Sequence, residues 1–199
     1  MLRIHKRKTF MSSRIAIGAF GVLLLAGGGY LLSLVAAPVV APVIAARPID
    51  VQTLPAPTAH DNRIIIPKIG VNIPYEEGAP ALDRGAQWRH PDRGNPANGG
   101  NFIIAAHRFS IQPTPAATVE KSPFYNIDKI GEGDKIIVDY EGKRYAYQVE
   151  KSFNVTPTQI EIEAPSDDAR LTLYSCTLSG SSDGRVVLVS KKMGEVAVN

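Results

Sequence analysis

Residues 134–155, DKIIVDYEGKRYAYQVEKSFNV, decide the fold class. Two runs rich in Ile, Val, Tyr and Phe flank Asp139-Tyr140-Glu141-Gly142, a tetrapeptide suited to a tight hairpin turn. Working outward from this hairpin, the same texture recurs in RIIIPKIGVNIPY (63–75) and NFIIAAH (101–107) upstream, and in RLTLYSC (170–176) and RVVLVSKKM (185–193) downstream. Short β-branched runs bounded by Gly, Pro and Asn predict an all-β barrel or sandwich. One short helix is expected at SPFYNIDKIG (122–131), with Ser122 as cap, Pro123 at its first turn and Gly131 as its stop. There is no internal repeat.

The front of the chain has a different character. Residues 1–14 form a basic tail carrying Arg3, Lys6, Arg7, Lys8 and Arg14, and residues 15–37 (IAIGAFGVLLLAGGGYLLSLVAA) are uncharged and apolar. A bilayer-spanning helix needs about 20 such residues, and this run exceeds the roughly 7 to 15 of a signal-peptide core, so an uncleaved anchor is expected. Basic flanks stay on the cytoplasmic side, which predicts a single-pass protein with its amino end inside and the remainder extracytoplasmic. Residues 1–47 hold 6 of the 22 basic residues and no acidic one, leaving 16 against 19 acidic, net −3, beyond them. The overall charge of +3 is thus a topology signal and offers no support for nucleic-acid binding. Residues 38–60, rich in Pro and Ala, are expected to be an extended tether, and His60 at its end has no evident task. Residues 61–199 are expected to form the single extracytoplasmic domain.

That domain has one cysteine, Cys176, at the end of RLTLYSC and before the Gly/Ser-rich TLSGSSDG. Outside a membrane, a lone thiol has no disulfide partner within the chain, leaving an intermolecular bond, an inert packing role or a nucleophile. Strand alternation places Leu171, Leu173 and Ser175 on one face and Thr172, Tyr174 and Cys176 on the other. If the leucines fill the core, Cys176 points away from it at a strand end, where a thiolate has room for substrate. His107, ending NFIIAAH, is the candidate base; His90, in QWRHPDRG without strand context, is the weaker one. Arg185 opens the last strand, and if the two final strands pair, its guanidinium returns to Cys176, where it could hold a carbonyl or an oxyanion. One Cys and four scattered His show no metal-ligand spacing, so no metal and no cofactor is expected.

Over residues 61–193 the chain resembles the sortases, membrane-anchored cysteine transpeptidases of bacterial cell surfaces. The matching segments run in family order: IPKIGVNIPYEEG, ALDRGAQWRHPDRGNPANGGNFIIAAHR, SPFYNIDKIGEGDKIIV, LTLYSC and RVVLV. The resemblance implies an eight-stranded β-barrel with short helices, and catalytic His107, Cys176 and Arg185. It further implies a substrate protein with an LPXTG-like sorting signal near its carboxyl end. Cys176 would form a thioacyl intermediate, His107 would protonate the leaving amine, and an amine of peptidoglycan or of a pilin would resolve it. Two positions depart from the family pattern. Ser175 stands where the motif T-L-x-T-C has its second threonine, keeping the hydroxyl beside the expected substrate and oxyanion site, and Ala106 precedes the histidine where glycine is common.

The connection VTPTQIEIEAPSDDAR, with Glu161, Glu163, Asp167 and Asp168, reads as a solvated loop rather than a calcium site, as do Glu76 and Glu77. Two alternatives remain at this level. A cysteine peptidase that only hydrolyses would use the same residues, and a surface β-module would share the barrel without needing the spaced His, Cys and Arg.

Overall fold

The computed structural model describes residues 13–45 and 48–197, so the basic tail up to residue 12 lies outside the described residues. In chain order the elements are α1 (Ser13–Ala45), β1 (Arg63–Ile66), β2 (Val71–Glu77), β3 (Ala86–Arg89), β4 (Gly94–Asn95), β5 (Gly99–Ala106), α2 (Pro115–Glu120), β6 (Lys135–Tyr140), β7 (Lys143–Val155), β8 (Arg170–Thr177) and β9 (Gly180–Glu195).

The β6–β7 hairpin forms as its sequence requires. Tyr140 pairs with Lys143 across the two-residue loop Glu141-Gly142, and both loop residues have positive φ, 48° and 78°. That is the left-handed pair a tight hairpin demands, and glycine at the second position supplies it without strain. From this hairpin the sheet grows in the order β3-β2-β1-β6-β7-β9-β8-β5, and pairing of β3 with β5 closes the ring into an eight-stranded barrel. The two-residue β4 lies outside the ring on β5.

Alternate residues fill the barrel. Phe102 and Ile104 of β5, Leu171 and Leu173 of β8, and Leu188 of β9 are fully buried in one cluster with Ile64, Ile66, Ile136 and Val138. Each such side chain contributes roughly 1.5–3 kcal/mol by leaving water. Trp88, the one large apolar residue of β3, packs edge-on against Tyr75, Phe102 and Tyr140, with ring centroids 6.2, 5.5 and 5.8 Å away. This aromatic cluster seats β3 and so closes the barrel, although AQWR has no β-branched residue to announce a strand.

Three local expectations are corrected. The stretch 122–131 is a series of turns with a 3-10 helix only at Ile127–Lys129. The helix lies earlier, as α2, where Thr114 caps Ala117 N–H at 3.2 Å and Pro115 opens the first turn. The sequence before His90 is not loop but β3.

The third correction concerns the tether. Helix α1 continues past Ala37, through Pro38 and Pro42, to Ala45. Residues 48–60 then lie against the barrel: Ile49 N–H bonds Pro67 O at 3.1 Å, Asp50 caps a 3-10 turn at Val51–Thr53, and the Pro55 carbonyl accepts Arg144 Nη2 at 2.9 Å. Arg144 needs that third partner, because its ion pair with Asp139 (2.7 and 2.8 Å) is buried at 3% and 4% side-chain exposure.

The Ile15–Ala37 part of α1 is long and apolar enough to cross a membrane. Ile17, Leu23 and Leu25 are 70%, 70% and 79% exposed, so this surface has no cover among the described residues, which is what a lipid-facing helix requires.

Candidate active site

Strands β5, β8 and β9 are neighbours, with β8 in the middle. The parallel register joins Phe102 to Leu171, Ile104 to Leu173 and Ala105 to Tyr174; one more pair of steps sets His107, just past the end of β5, beside Cys176. On the other side, the antiparallel register places Arg185 directly opposite Cys176. Because Leu171 and Leu173 face the interior, Thr172, Tyr174 and Cys176 face outward, and so do their cross-strand partners. Cys176 and Arg185 therefore share the outer face, and His107, just past the end of β5, continues the row on the other side of Cys176, neighbouring strands being about 4.8 Å apart.

The row is held by buried hydroxyls. Ser175 is 2% exposed, and its Oγ donates to Ala106 O at 2.7 Å. The residue before the cysteine is thus bonded to the residue before the histidine, which fixes the level of one against the other. Ser175, expected beside the substrate, points inward and spends its hydroxyl on this bond. Two levels down, Thr172 Oγ1 donates to Asn101 Oδ1 at 2.7 Å.

Cys176 is a free, half-buried thiol. Past it, Thr177 pairs with Gly180 while Cys176 pairs with Arg185, so residues 181–184 bulge out of the ladder. Arg185 Nη1 donates to Ser181 O at 2.7 Å and Gly184 O at 2.9 Å, and Thr177 Oγ1 donates to Asp183 Oδ2 at 2.6 Å. A Cβ on Gly184 would come within 2.9 Å of Val155 O, so glycine lets the bulge rest on the end of β7. The guanidinium of the residue paired with Cys176 is therefore braced by its own loop through one nitrogen.

On the other flank, His107 O accepts Phe124 N–H at 3.1 Å. Its neighbour Arg108 turns inward, 3% exposed, and pairs through Nη2 with Asp128 at 2.9 Å. Burial lowers the Arg108 pKa, and Asp128 opposes that shift. Arg108 thus ties the His107 loop to the 127–129 turn.

Glu163 is the residue that the sequence concealed. Read as part of a solvated acidic loop, it is in fact 12% exposed and accepts from Arg89 Nε at 2.9 Å and Tyr174 Oη at 2.5 Å, with His90 Nε2 3.0 Å from its second oxygen. Its carbonyl accepts Arg93 Nη1 at 2.6 Å. Burial alone would raise its pKa, but the hydrogen bonds from Arg89, Tyr174 and His90 outweigh it and hold the carboxyl at about 2. The same contact, added to burial, raises the Tyr174 phenol, while the charges of Arg89 and Arg185 act in the opposite sense. His90 is thus committed to Glu163. Only a three-dimensional neighbourhood could have shown this, since Arg89 and Glu163 lie 74 positions apart. Among the described residues, no group of three or more His, Cys, Asp or Glu side chains is arranged to hold a metal ion.

A closed eight-stranded barrel with a cysteine centred between a histidine and an arginine on its outer face defines the class of structure, and comparison with known proteins names it. The Sortase domain model matches residues 64–193. The chain belongs to the sortase family, whose members are cysteine transpeptidases. It is 28% identical over 147 residues to Sortase SrtE1 of Streptomyces coelicolor, covering 65% of this chain but only 39% of that protein. Among solved structures it is similar to the Sortase D5 transpeptidase of Clostridium perfringens (26% identity, TM-score 0.55, 67% of this chain and 79% of that one). It also shares the fold of Sortase E1 from Streptomyces coelicolor with a tripeptide in its active site (24% identity, TM-score 0.55, 68% and 88%).

Proposed function

We propose that this chain is a membrane-anchored transpeptidase that cleaves an LPXTG-like sorting signal and passes the amino-terminal part of the cleaved protein, ending in threonine, to an amine of peptidoglycan or of a pilin. The observation that carries the reading is the row of His107, Cys176 and Arg185 at one level of β5, β8 and β9.

Cys176 Sγ attacks the carbonyl of the scissile Thr-Gly bond, giving a tetrahedral oxyanion beside the Arg185 guanidinium. Arg185 stabilises that charge and holds the substrate backbone. His107 protonates the departing glycine amine, leaving a thioester on Cys176, and then takes the proton from the incoming amine as the new amide forms. Ser175 and Ala106 act from below by keeping the two reacting side chains level. The apolar span of α1, with the basic residues before it, supports an amino end inside and a barrel outside the cytoplasmic membrane.

Incubating the full-length protein in detergent with an LPXTG-type peptide and a panel of amines, with products read by mass spectrometry, tests the reading. Ligated peptide is expected, carrying the amine after the threonine. Hydrolysed peptide alone would make the protein a peptidase, and intact peptide would overturn the reading. Protease added to intact cells should degrade the barrel.

A further inference from the structure

The outer face that carries the catalytic row is not bare below it. Ile103 of β5, Thr172 of β8 and Val187 of β9 all face outward yet are at most 1% exposed, so something lies over them. Residues 162–164 are bonded onto that face. Asn101, itself fully buried, donates from Nδ2 to Ile162 O at 3.2 Å and Ala164 O at 2.7 Å, and Glu163 between them reaches Tyr174. The segment thus covers this face as far as the level of Tyr174, and the next outward residue along β8 is Cys176, about 7 Å on.

The contacts to Glu163 come from two separate parts of the chain. Tyr174 belongs to the same strand as the cysteine, whereas Arg89 ends β3 and His90 and Arg93 flank the turn that follows it. His90 reaches Glu163 from a left-handed backbone, φ 48°, one of only two non-glycine residues with positive φ among the described residues. The other, Glu141, sits in a hairpin turn that demands such a φ. His90 opens the 3-10 turn Pro91–Arg93, its carbonyl accepting Arg93 N–H at 2.9 Å, and backbone strain in a non-glycine residue persists only where surrounding contacts enforce it.

From this arrangement we infer that Glu163, Tyr174, Arg89 and His90 are positioning residues that clamp the 160–164 segment as a fixed wall of the peptide groove beside Cys176. The inference rests on Cys176 being the nucleophile. The wall presents Ile160, 71% exposed, at the same end of the barrel as the catalytic row, because β7 ends at Val155 opposite Arg185. An extended peptide entering at Cys176 meets this wall, and a fixed wall lowers the ordering cost of binding. Iodoacetamide is too small to need it.

The test uses full-length Tyr174→Phe, Glu163→Gln and Glu163→Ala in detergent. Tyr174→Phe should raise KM for an LPXTG-type peptide about 5- to 10-fold, with kcat nearly unchanged and the alkylation rate of Cys176 within about twofold of wild type. Glu163→Gln, which still accepts from Tyr174, should raise KM less than Glu163→Ala. Hydrogen exchange of 160–164 should quicken in the same order while that of β8 does not. Unchanged KM in all three variants would overturn the inference, as would parallel losses of peptide turnover, alkylation and melting temperature, which mark a merely structural contact. If wild type turns over no peptide, the transpeptidase reading fails separately. Exchange then decides the clamp: a loosened 160–164 in Tyr174→Phe keeps it, and an unchanged one removes it.

Discussion

Two carboxylate–arginine clusters use the same chemistry differently. At the hairpin end, Asp139 and Arg144 form a bidentate pair, about 96–97% buried, on adjacent strands, completed by the Pro55 carbonyl. On the outer face of β8, beside the proposed site, Glu163 gathers Arg89, His90 and Tyr174 from distant segments while Arg89 remains 35% exposed. A pair sealed within one hairpin and its flanking linker bears on whether the barrel folds. A half-open cluster joining loops bears on how the mouth of the site is held. The difference teaches that burial and connectivity, rather than the presence of an ion pair, decide what such a cluster governs.

The contrast predicts that changes at the proposed site cost activity and changes at the hairpin cost stability. The largest effect belongs to the row. Cys176→Ala should abolish turnover without lowering the melting temperature, and Arg185→Ala should lose at least about 10²- to 10³-fold in kcat/KM. Arg185→Lys should recover little, since an ammonium lacks the planar fork. Steady-state kinetics beside thermal melts checks all three. A comparable loss of stability in them would erase the contrast.

At the hairpin end, Arg144→Ala strands the Asp139 carboxylate in the interior, and removing one partner of a buried pair costs about 3–5 kcal/mol. Denaturant unfolding should show that loss, with activity per folded molecule retained. A smaller effect follows from the linker. A fragment of residues 61–199 lacks Pro55, leaving an Arg144 donor unpaired, and should be about 1–3 kcal/mol less stable than a fragment of residues 48–199. Equal melts would show that residues 48–60 are dispensable.

These sites differ in how far they could be read from sequence. The β6–β7 hairpin and the β8–β9 pair were legible because turn residues and alternating apolar positions are local signals. The same alternation placed Cys176 outward, and pairing across TLSGSSDG returned Arg185 to it. β3 escaped notice because its placement rests on Trp88 packing against residues of β2, β5 and β6. The helix expected at Ser122 yielded to α2, whose Thr114-Pro115 start was equally visible. Glu163 was hidden for a different reason. An acidic residue among acidic neighbours reads as solvated until Arg89, His90 and Tyr174 are brought to it by the closed barrel. Likewise, the linker's Pro and Ala content gave no hint that Pro55 completes a buried ion pair.

The smallest predicted effect is in acid. The Glu163 carboxyl is held at about 2 in the folded protein, against 4.5 for the free group. A depressed carboxyl contributes stability above its unfolded value, and that contribution fades as pH falls from about 4.5 through about 2. Wild type should therefore show a steeper loss of melting temperature across this window than Glu163→Gln, which has no carboxyl to protonate. Parallel curves would mean that the cluster contributes nothing measurable to folding.

In the proposed reaction Cys176 carries the substrate's acyl group. Intact-mass spectrometry of the full-length protein, quenched in acid during reaction with an LPXTG-type peptide and no added amine, tests it most directly. The expected product is an adduct equal to the peptide cleaved after threonine, less one water, located on Cys176, released by hydroxylamine and absent in Cys176→Ala. Turnover that persists in Cys176→Ala, or an acyl group mapped to any other residue, would contradict it.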